Sequence, residues 1–248
     1  MIIFFVMLVS FIATLVRSTF GFGEALIAVP LLILLLPIGV SVPLSVLLSI
    51  LIALIVVIQD HSKIQFQSAK WLILYALPGI PVGLMLLFFA SDFWVELLLG
   101  LLLVLYSLYS LLGKETFKHT GNDRVWLGVC GFLSGVFGGA YGINGPPLVV
   151  YGKLRGWSAN QFRATLQAYF FVASKLSIVG YAYKGLITQE VLTHFLYALP
   201  AALPAIFLGR YLNNKLDNSG FYKYVYIGLL IIGTFLLFQT LFLKQPDM

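Results

Sequence analysis

The five letters LYALP stand twice in this chain, at Leu74–Pro78 and at Leu196–Pro200, 122 positions apart. A shared leucine means little in so apolar a sequence, but five consecutive identities that include Tyr and Pro indicate a duplicated segment. Upstream, three further matches occur in the same order at an offset of 117: Phe20-Gly21 with Phe137-Gly138, Pro30-Leu31 with Pro147-Leu148, and Ser41 with Ser158. The chain is therefore predicted to contain two copies of one unit.

The two copies are joined by the longest polar run of the chain, "GKETFKHTGNDR". We take residues 1–112 as the first repeat, 113–124 as the linker and 125–248 as the second repeat. Together the repeats are expected to form one transmembrane transporter domain.

The composition predicts a membrane protein. Hydrophobic residues make up 60% of the 248 residues and charged residues 10%, and the mean hydropathy is +1.00, whereas soluble proteins carry about 25% charged residues. Val42–Gln59, Trp71–Ala90 and Tyr224–Leu243 are each long enough to cross a hydrocarbon layer of about 30 Å as a helix. We expect an all-α polytopic fold, in which the net charge of +6 reports orientation rather than nucleic-acid binding.

Each half opens with two apolar pieces that are short for a membrane span. Ile2–Val16 and Ala25–Leu36 flank "RSTFGFGE", and Val125–Phe137 and Pro147–Tyr151 flank "GGAYGING". Three longer apolar segments follow in each half. Paired short segments, interrupted at matching places in two repeats, are typical of the binding site of a transporter, because non-helical backbone at membrane depth must be buried or line a cavity.

Each short pair is either one broken span or a re-entrant hairpin, and the basic residues favour the hairpin. If each pair returns to its starting side, the second half is inverted and 11 basic residues share one face, against Lys184 and Lys244 on the other. If each pair formed a single broken span instead, the two faces would carry 7 and 6 basic residues. The 11 residues are Lys63, Lys70, Lys114, Lys118, Arg124, Lys153, Arg155, Arg163, Arg210, Lys215 and Lys223. The prediction is two inverted repeats, each a broken hairpin followed by three transmembrane helices, with both termini outside.

The stretch "FGGAYGINGPPLVVYGKLRGW", Phe137–Trp157, is the most specific in the chain. Its glycines allow backbone conformations that other residues resist, and the prolines that follow suit the first turn of a helix. Free amides at a half-helix N-terminus form a site for a small anion. The alternative is that the glycines only let helices pack closely. The candidate substrate-binding residues here are Gly138, Gly139, Tyr141, Gly142, Asn144 and Gly145.

The corresponding stretch of the first half, "RSTFGFGEALIAVP", carries two charges inside an apolar segment. Intramembrane charges are functional candidates because their burial is costly. Ser18 and Thr19 are expected to cap the returning helix. We interpret Glu24 as the proton-coupling residue; the alternative is a permanent Arg17–Glu24 ion pair that only fixes the hairpin. The candidate substrate-binding residues here are Arg17, Ser18, Thr19, Gly21 and Gly23.

The segment after Ser158 opens with "SANQ", a capping-box pattern that predicts a helix start. Arg163, Gln167, Ser174 and Ser177 follow helical spacing and share one face. Arg163 and Gln167 are predicted to line the cavity. Lys175 lies beside this stripe, and its direction, toward the cavity or toward lipid, stays open.

Sequence motifs of enzymes and cofactor sites do not occur in the chain. It has no P-loop, no nucleophile elbow and no carboxylate cluster, and its three histidines are scattered. The single cysteine excludes a cysteine-based metal cluster. We therefore expect neither an enzyme nor a bound cofactor or metal.

The two glycine-rich stretches resemble the TauE/SafE family of bacterial sulfite exporters. "FGFGEALIAVPLL" and "GFLSGVFGGAYGINGPPLVV" carry the resemblance, which covers nearly the whole chain. The family has consecutive glycines where this chain has Gly23-Glu24-Ala25 and Ala140-Tyr141-Gly142. The resemblance implies a multi-pass protein of the bacterial cytoplasmic membrane that moves sulfite, thiosulfate or an organosulfonate, coupled to an ion gradient.

Two other functions stay open at this point. Helix ends bind other small anions equally well, so the substrate is alternatively a different anion or metabolite. The second alternative is a membrane scaffold subunit without transport of its own. The expected partners are a small anion, the lipid bilayer and protons, with no nucleic acid, and a homodimer stays open.

Overall fold

The structure is a computed structural model that describes residues 2–89, 92–112, 123–216 and 218–243. All but the last two residues of the predicted linker, Asp123 and Arg124, lie outside these ranges. The described residues form ten α-helices and no strand, as expected where the backbone must satisfy its own hydrogen bonds in lipid. The helices are α1 Ile2–Phe20, α2 Glu24–Ile33, α3 Ile38–Asp60, α4 Phe66–Phe89, α5 Asp92–Leu112, α6 Asp123–Tyr141, α7 Gly145–Leu154, α8 Ala159–Tyr183, α9 Gln189–Lys215 and α10 Asn218–Phe238. A 3₁₀ turn, His61–Lys63, follows α3, and a π-helical turn, Gln239–Leu243, follows α10.

The described helices fall into two series of five with matching lengths. Helices α1 to α5 have 19, 10, 23, 24 and 21 residues, and α6 to α10 have 19, 10, 25, 27 and 21. The first three helices of the two series start 121 positions apart. The predicted residue matching at an offset of 117 is therefore wrong by one helical turn. Gly21 corresponds to Gly142 rather than Gly138, and both open a break with positive φ, +88° and +70°.

The first helix of each half is longer than the sequence predicted. Helix α1 continues past Val16 to Phe20, because Thr19 does not leave the helix: its hydroxyl donates to the Leu15 carbonyl of the preceding turn at 2.8 Å. Helix α6 likewise continues through the predicted glycine break to Tyr141. The breaks themselves are only three residues long, 21–23 and 142–144.

The chain folds back on itself at each break. Ser134 Oγ donates to the Asn144 carbonyl at 2.7 Å, whereas ten residues of continuous helix would separate the two by about 15 Å. In the first half, Val9 of α1 and Leu32 of α2 lie in one buried cluster, so the short helix packs along the helix that precedes it.

The most extensive contacts between the two halves of the described structure are made by four pairs of helices: α1 with α9, α4 with α6, α3 with α8, and α5 with α10. Helices α4 and α6 run parallel at close range, since Gly131, Gly135 and Gly139 face Leu72, Ala76 and Ile80 in the same order. A side chain at these glycines would collide with the α4 backbone. Small residues allow this close approach of helices in membranes.

Helices α3 and α8 run antiparallel. Ser49 meets Ser174 at 2.9 Å, while Lys63, beyond the end of α3, meets Asn160 in the first turn of α8 at 3.4 Å. Helices α5 and α10 are also antiparallel, because Gly100 faces Leu237 whereas Gly233 faces Leu103 and Val104. In the correspondence of α1–α5 with α6–α10, α3 with α8 and α5 with α10 are pairs of equivalent helices, and the pair α1 with α9 is equivalent to the pair α6 with α4.

Five helices of the described part are long and apolar enough to cross a membrane: Ile2–Phe20, Ile38–Lys63, Phe66–Leu86, Gln189–Lys215 and Lys223–Phe242. Helix α8 is as long but less apolar, because its buried face carries the predicted polar stripe, Arg163, Gln167, Ser174 and Ser177. The predicted capping box at Ser158 is confirmed. Lys175 is exposed, and its ammonium lies 3.8 Å from the centre of the Phe171 ring. It faces away from the buried stripe.

Candidate functional site

The two breaks meet at one small buried cavity. Its walls are Phe22–Leu26 from the first half and Gly142–Gly145 from the second, together with Arg17 and Phe170. The cavity has a volume of about 10 Å³, close to the smallest volume that holds one water molecule. Gly23, like the glycines that open the breaks, has positive φ, +99°, a conformation that glycine adopts without steric cost. Glycine at these positions is therefore required by the chain reversal itself.

Arg17 is the centre of a buried hydrogen-bond network. Its side chain is 5% exposed. Nη1 donates to Ser49 Oγ at 2.6 Å, and Nε and Nη2 donate to Gln167 Oε1 at 3.1 and 2.9 Å. The Phe170 ring centre lies 4.6 Å from the guanidinium carbon. Because α3 and α8 both contribute partners, the guanidinium at the end of α1 is fixed in position from two sides.

Glu24 belongs to the same network and also lines the cavity. Its carboxylate, 1% exposed, accepts from Arg17 Nη1 at 3.2 Å and from Ser45 Oγ at 2.7 Å. Glu24 is the first residue of α2, where the positive end of the helix dipole favours a negative charge. The buried charge of Arg17 is thus balanced by one carboxylate at a helix N-terminus.

The second half presents a helix N-terminus without such a carboxylate. Glu24 corresponds to Gly145, the first residue of α7, which is followed by Pro146 and Pro147 as predicted. Asn144 is 5% exposed, and its side chain lies against Gly138, whose missing Cβ leaves room for it. The positive end of α7 therefore faces the cavity with only an amide side chain beside it, an arrangement that suits an anion.

The C-terminal end of α1 is capped by side chains from the second half. Gln167 Nε2 donates to the Gly21 carbonyl at 3.0 Å, and Asn213 Nδ2 donates to the Thr19 carbonyl at 2.7 Å. Arg163 Nε donates to the carbonyl of Ser18. These bonds satisfy carbonyls that a helix end leaves open. The predicted capping of α2 by Ser18 and Thr19 is wrong, because the residue before α2 is Gly23 and both side chains belong to the last turn of α1.

A second charged cluster lies at the far end of α3. Asp60, 3% exposed, is paired with Arg163, with Arg210 at 3.1 Å and with Lys63 at 3.3 Å. It is 11 residues beyond Ser49, or about 16 Å along the helix, so the two clusters occupy different depths. One carboxylate thus holds three cations near the end of three packed helices.

The structure brings together part of the predicted site. Six predicted residues line the cavity: Arg17, Gly23, Glu24, Gly142, Asn144 and Gly145. Gln167 and the Gly21 carbonyl are joined to it through hydrogen bonds. Gly138 and Gly139 lie inside α6, Arg163 lies in the Asp60 cluster, and the side chain of Tyr141 is outside the described residues.

Sequence reasoning missed two serines that hold the site. Ser45 and Ser49 bind Glu24 and Arg17, and with Ser41 they recur every four residues along the otherwise apolar α3. That spacing marks one helix face, and this signal is present in the sequence. Asp60 was also missed, although it is an isolated carboxylate at the end of an apolar segment.

The chain is similar to known membrane transporters. Residues 6–236 match the family described as Sulfite exporter TauE/SafE. A curated relative from Cupriavidus necator, "Probable sulfite/organosulfonate exporter TauE", is 28% identical over 141 residues, which are 54% of this chain and 53% of the relative. The matched region thus spans about half the length of that relative, and no solved structure matches the chain. The members of the matched family are membrane transporters rather than enzymes. Since the match covers nearly all of the described helices, the chain belongs to the sulfite exporter TauE/SafE family.

Proposed function

We propose that this protein is a secondary carrier that moves a small sulfur-containing anion, sulfite, thiosulfate or an organosulfonate, across the bacterial cytoplasmic membrane. One observation carries the proposal: two chain breaks, one from each half, meet at a buried cavity that holds Arg17 and the N-terminus of α7. A scaffold subunit has no need for two such breaks inside the membrane. The name of the Cupriavidus necator relative supports sulfur oxyanions as the substrate class.

The partners of Arg17 support coupling of transport to protons. At the cavity Arg17 is paired with Glu24. An anion that reaches the guanidinium competes with this carboxylate for the same positive charge, and a proton on Glu24 would remove the competitor. Binding of the anion and protonation of Glu24 would therefore favour each other, which is the thermodynamic requirement for coupled transport.

Two inverted halves, with both termini outside, are part of the proposal. If helices alternate in direction along the chain and each short pair is a hairpin, α3 must be antiparallel to α8, and α1 must be parallel to α9. The antiparallel contacts of α3 with α8 and the parallel contacts of α4 with α6 support this arrangement. A single broken span in each half would make α3 parallel to α8. The basic residues, 11 against 2, support the same orientation.

Flux measurements on the purified protein in liposomes test the function. We expect counterflow of sulfite, thiosulfate or sulfoacetate above that of empty liposomes, with taurine and acetate as comparison substrates. Flux of acetate alone would favour the carrier of another small anion, and no flux with any of these compounds would favour the scaffold.

The orientation predicts that a cysteine at position 122 is protected in intact cells. Residue 122 lies in the linker, which is cytoplasmic in the proposed orientation. In a Cys130→Ser background, Asn122→Cys should resist an impermeant thiol reagent until the cells are permeabilised. Thr188→Cys, in the loop before α9, is the matched control and should react at once. Ready labelling at position 122 in intact cells would reject the orientation.

Asn144→Ala is expected to weaken substrate binding without unfolding the protein. The Asn144 amide lies at the cavity beside the α7 N-terminus, and loss of one hydrogen bond to a charged ligand corresponds to about 1.5–3 kcal/mol, or about ten- to a hundredfold in affinity. Asn160→Ala, at the start of α8 and away from the cavity, is the matched control. Equal affinities of the two variants in a competent transport assay would assign Asn144 a structural role only.

A further inference from the structure

The Asp60 cluster carries more positive charge than its carboxylate balances. Arg163 binds one carboxylate oxygen, Oδ2, while Lys63 and Arg210 share the other, Oδ1. Among the described residues, Asp60 is the only acidic partner of these three cations. Charges withdrawn from water are costly unless they are paired. A second anion is therefore the partner that this cluster lacks.

Hydrogen-bond donors of the two outer cations remain unused. Arg210 Nη2 donates to the Gln59 carbonyl at 3.2 Å and to Asp60 Oδ1 at 3.1 Å, whereas its buried Nε has no acceptor among the described residues. Lys63 Nζ reaches Asp60 at 3.3 Å and Asn160 at 3.4 Å, which are long contacts for an ammonium group. Because Lys63 and Arg210 meet at one carboxylate oxygen, both can reach a single phosphate group beside it.

The accessible side of the cluster lies where two apolar helices end. The side chains of Lys63 and Arg210 are 36% and 38% exposed, whereas Asp60 and Arg163 are buried. Lys63 ends one candidate membrane span, and Arg210 lies near the end of another, Gln189–Lys215. Lipid headgroups begin at the level where such apolar spans end. The surplus positive charge therefore faces the headgroup region of the bilayer.

Apolar side chains are exposed within one turn of these cations, on the membrane side. Helices α3 and α9 pack together here through a small buried cluster, Ile52, Val56 and Ile206. Ile58, just before Asp60 on α3, and Phe207, one turn before Arg210 on α9, are 67% and 58% exposed. A free inorganic anion would not use this apolar surface. An anionic headgroup joined to acyl chains matches both the cations and the surface below them.

We propose that the Asp60 cluster is a binding site for an anionic phospholipid, with Lys63 and Arg210 at the phosphate group and Ile58 and Phe207 along the acyl chains. Basic pockets between transmembrane helices bind the headgroups of such lipids. The lipid supplies the negative charge that Asp60 alone does not, and it connects the ends of α3 and α9. The site is separate from the central cavity, and the inference does not depend on which anion the protein carries.

Native mass spectrometry of the delipidated protein in detergent tests this site with phosphatidylglycerol and phosphatidylcholine that carry the same acyl chains. Each cation near a membrane surface contributes about fivefold to the affinity for an anionic lipid. The dissociation constant of phosphatidylglycerol should therefore be about ten- to thirtyfold lower than that of phosphatidylcholine. Lys63→Gln/Arg210→Gln should remove most of this preference. The matched control Lys70→Gln/Lys153→Gln removes the same charge at two exposed lysines outside the cluster and should keep the preference.

Equal affinities of the wild-type protein for the two lipids would refute the lipid site, as would a preference that persists in Lys63→Gln/Arg210→Gln or is lost equally in the control. Glycerol 1-phosphate, which has the headgroup phosphate without acyl chains, should not displace phosphatidylglycerol at equal concentration. Displacement by it or by inorganic phosphate would assign the cluster to a free phosphate instead.

The double variant leaves Asp60 paired with Arg163 and should fold. If it does not, Lys63→Gln alone should lower the lipid preference about fivefold, and an unchanged preference in that variant would refute the site.

Discussion

Glu24→Gln is expected to reduce anion transport driven by a pH gradient strongly while leaving the protein inserted in the membrane and able to bind its substrate. The substituted amide keeps the size of the side chain and one of the two acceptor oxygens, which in Glu24 bind Arg17 and Ser45 separately. It cannot release or take up a proton at any physiological pH. We expect a fall of about a hundredfold in pH-driven flux, at the low end of what positioned proton-transferring groups contribute to enzymes.

The pH dependence of binding gives this prediction a second readout. In the wild-type protein a proton on Glu24 frees Arg17 for the anion, so affinity should rise as the pH falls. In Glu24→Gln the competitor is neutral at every pH, and affinity should stay near the wild-type low-pH level. Glu190→Gln, at an exposed carboxylate in the first turn of α9, is the matched control. Normal pH-driven flux in Glu24→Gln would reject proton coupling by Glu24. Its only role would then be the structural ion pair with Arg17.

The sequence predicted the order of elements well because breaks and spans have strong local causes. Glycine at Gly21 and Gly142, and the proline pair after Asn144, fix where the chain turns. The 20-residue apolar segments fix where it continues as helix. Hydrophobic and polar spacing along α8 correctly identified its buried face, since a polar side chain in an apolar helix must find a partner.

The residue-by-residue correspondence of the two halves was predicted poorly, because it depends on packing between helices. The glycines at Gly138 and Gly139 are the right residue type for a break, yet they remain helical because they lie against Asn144 and the α4 backbone. This shifted the predicted matching of the halves by one turn. The role of Ser18 was predicted wrongly for the same reason. Its backbone carbonyl, rather than its hydroxyl, makes the contact, because it accepts a hydrogen bond from Arg163, 145 positions further along the chain. No local pattern reports such a contact.

Arg163 shows how a correct residue can receive a different role in the fold. It shares the buried face of α8 with Gln167, one turn away, and both were predicted to line the cavity. Gln167 reaches Arg17, but Arg163 is drawn toward Asp60 instead. The position of the counter-ion on α3 decided which of the two side chains joined the central network.

Asp60→Asn is expected to destabilise the protein strongly, with a smaller effect on the central cavity. The carboxylate lies against Arg163, which is 1% exposed, and also accepts from Arg210. Its removal leaves three cations without their shared partner, and loss of one member of a buried ion pair typically costs about 3–5 kcal/mol. In a chain of this size that corresponds to a fall of roughly 6–20 °C in Tm.

Thermal unfolding in one detergent, followed by differential scanning fluorimetry, measures this effect. Lys63→Gln removes a partly exposed partner of the same carboxylate and should cost at most about 1 kcal/mol. The double variant Asp60→Asn/Arg163→Gln should recover part of the lost Tm, because the buried charge disappears together with its partner. An Asp60→Asn variant as stable as Lys63→Gln would show that water or another carboxylate compensates Arg163. The Asp60 cluster would then not hold α3, α8 and α9 together.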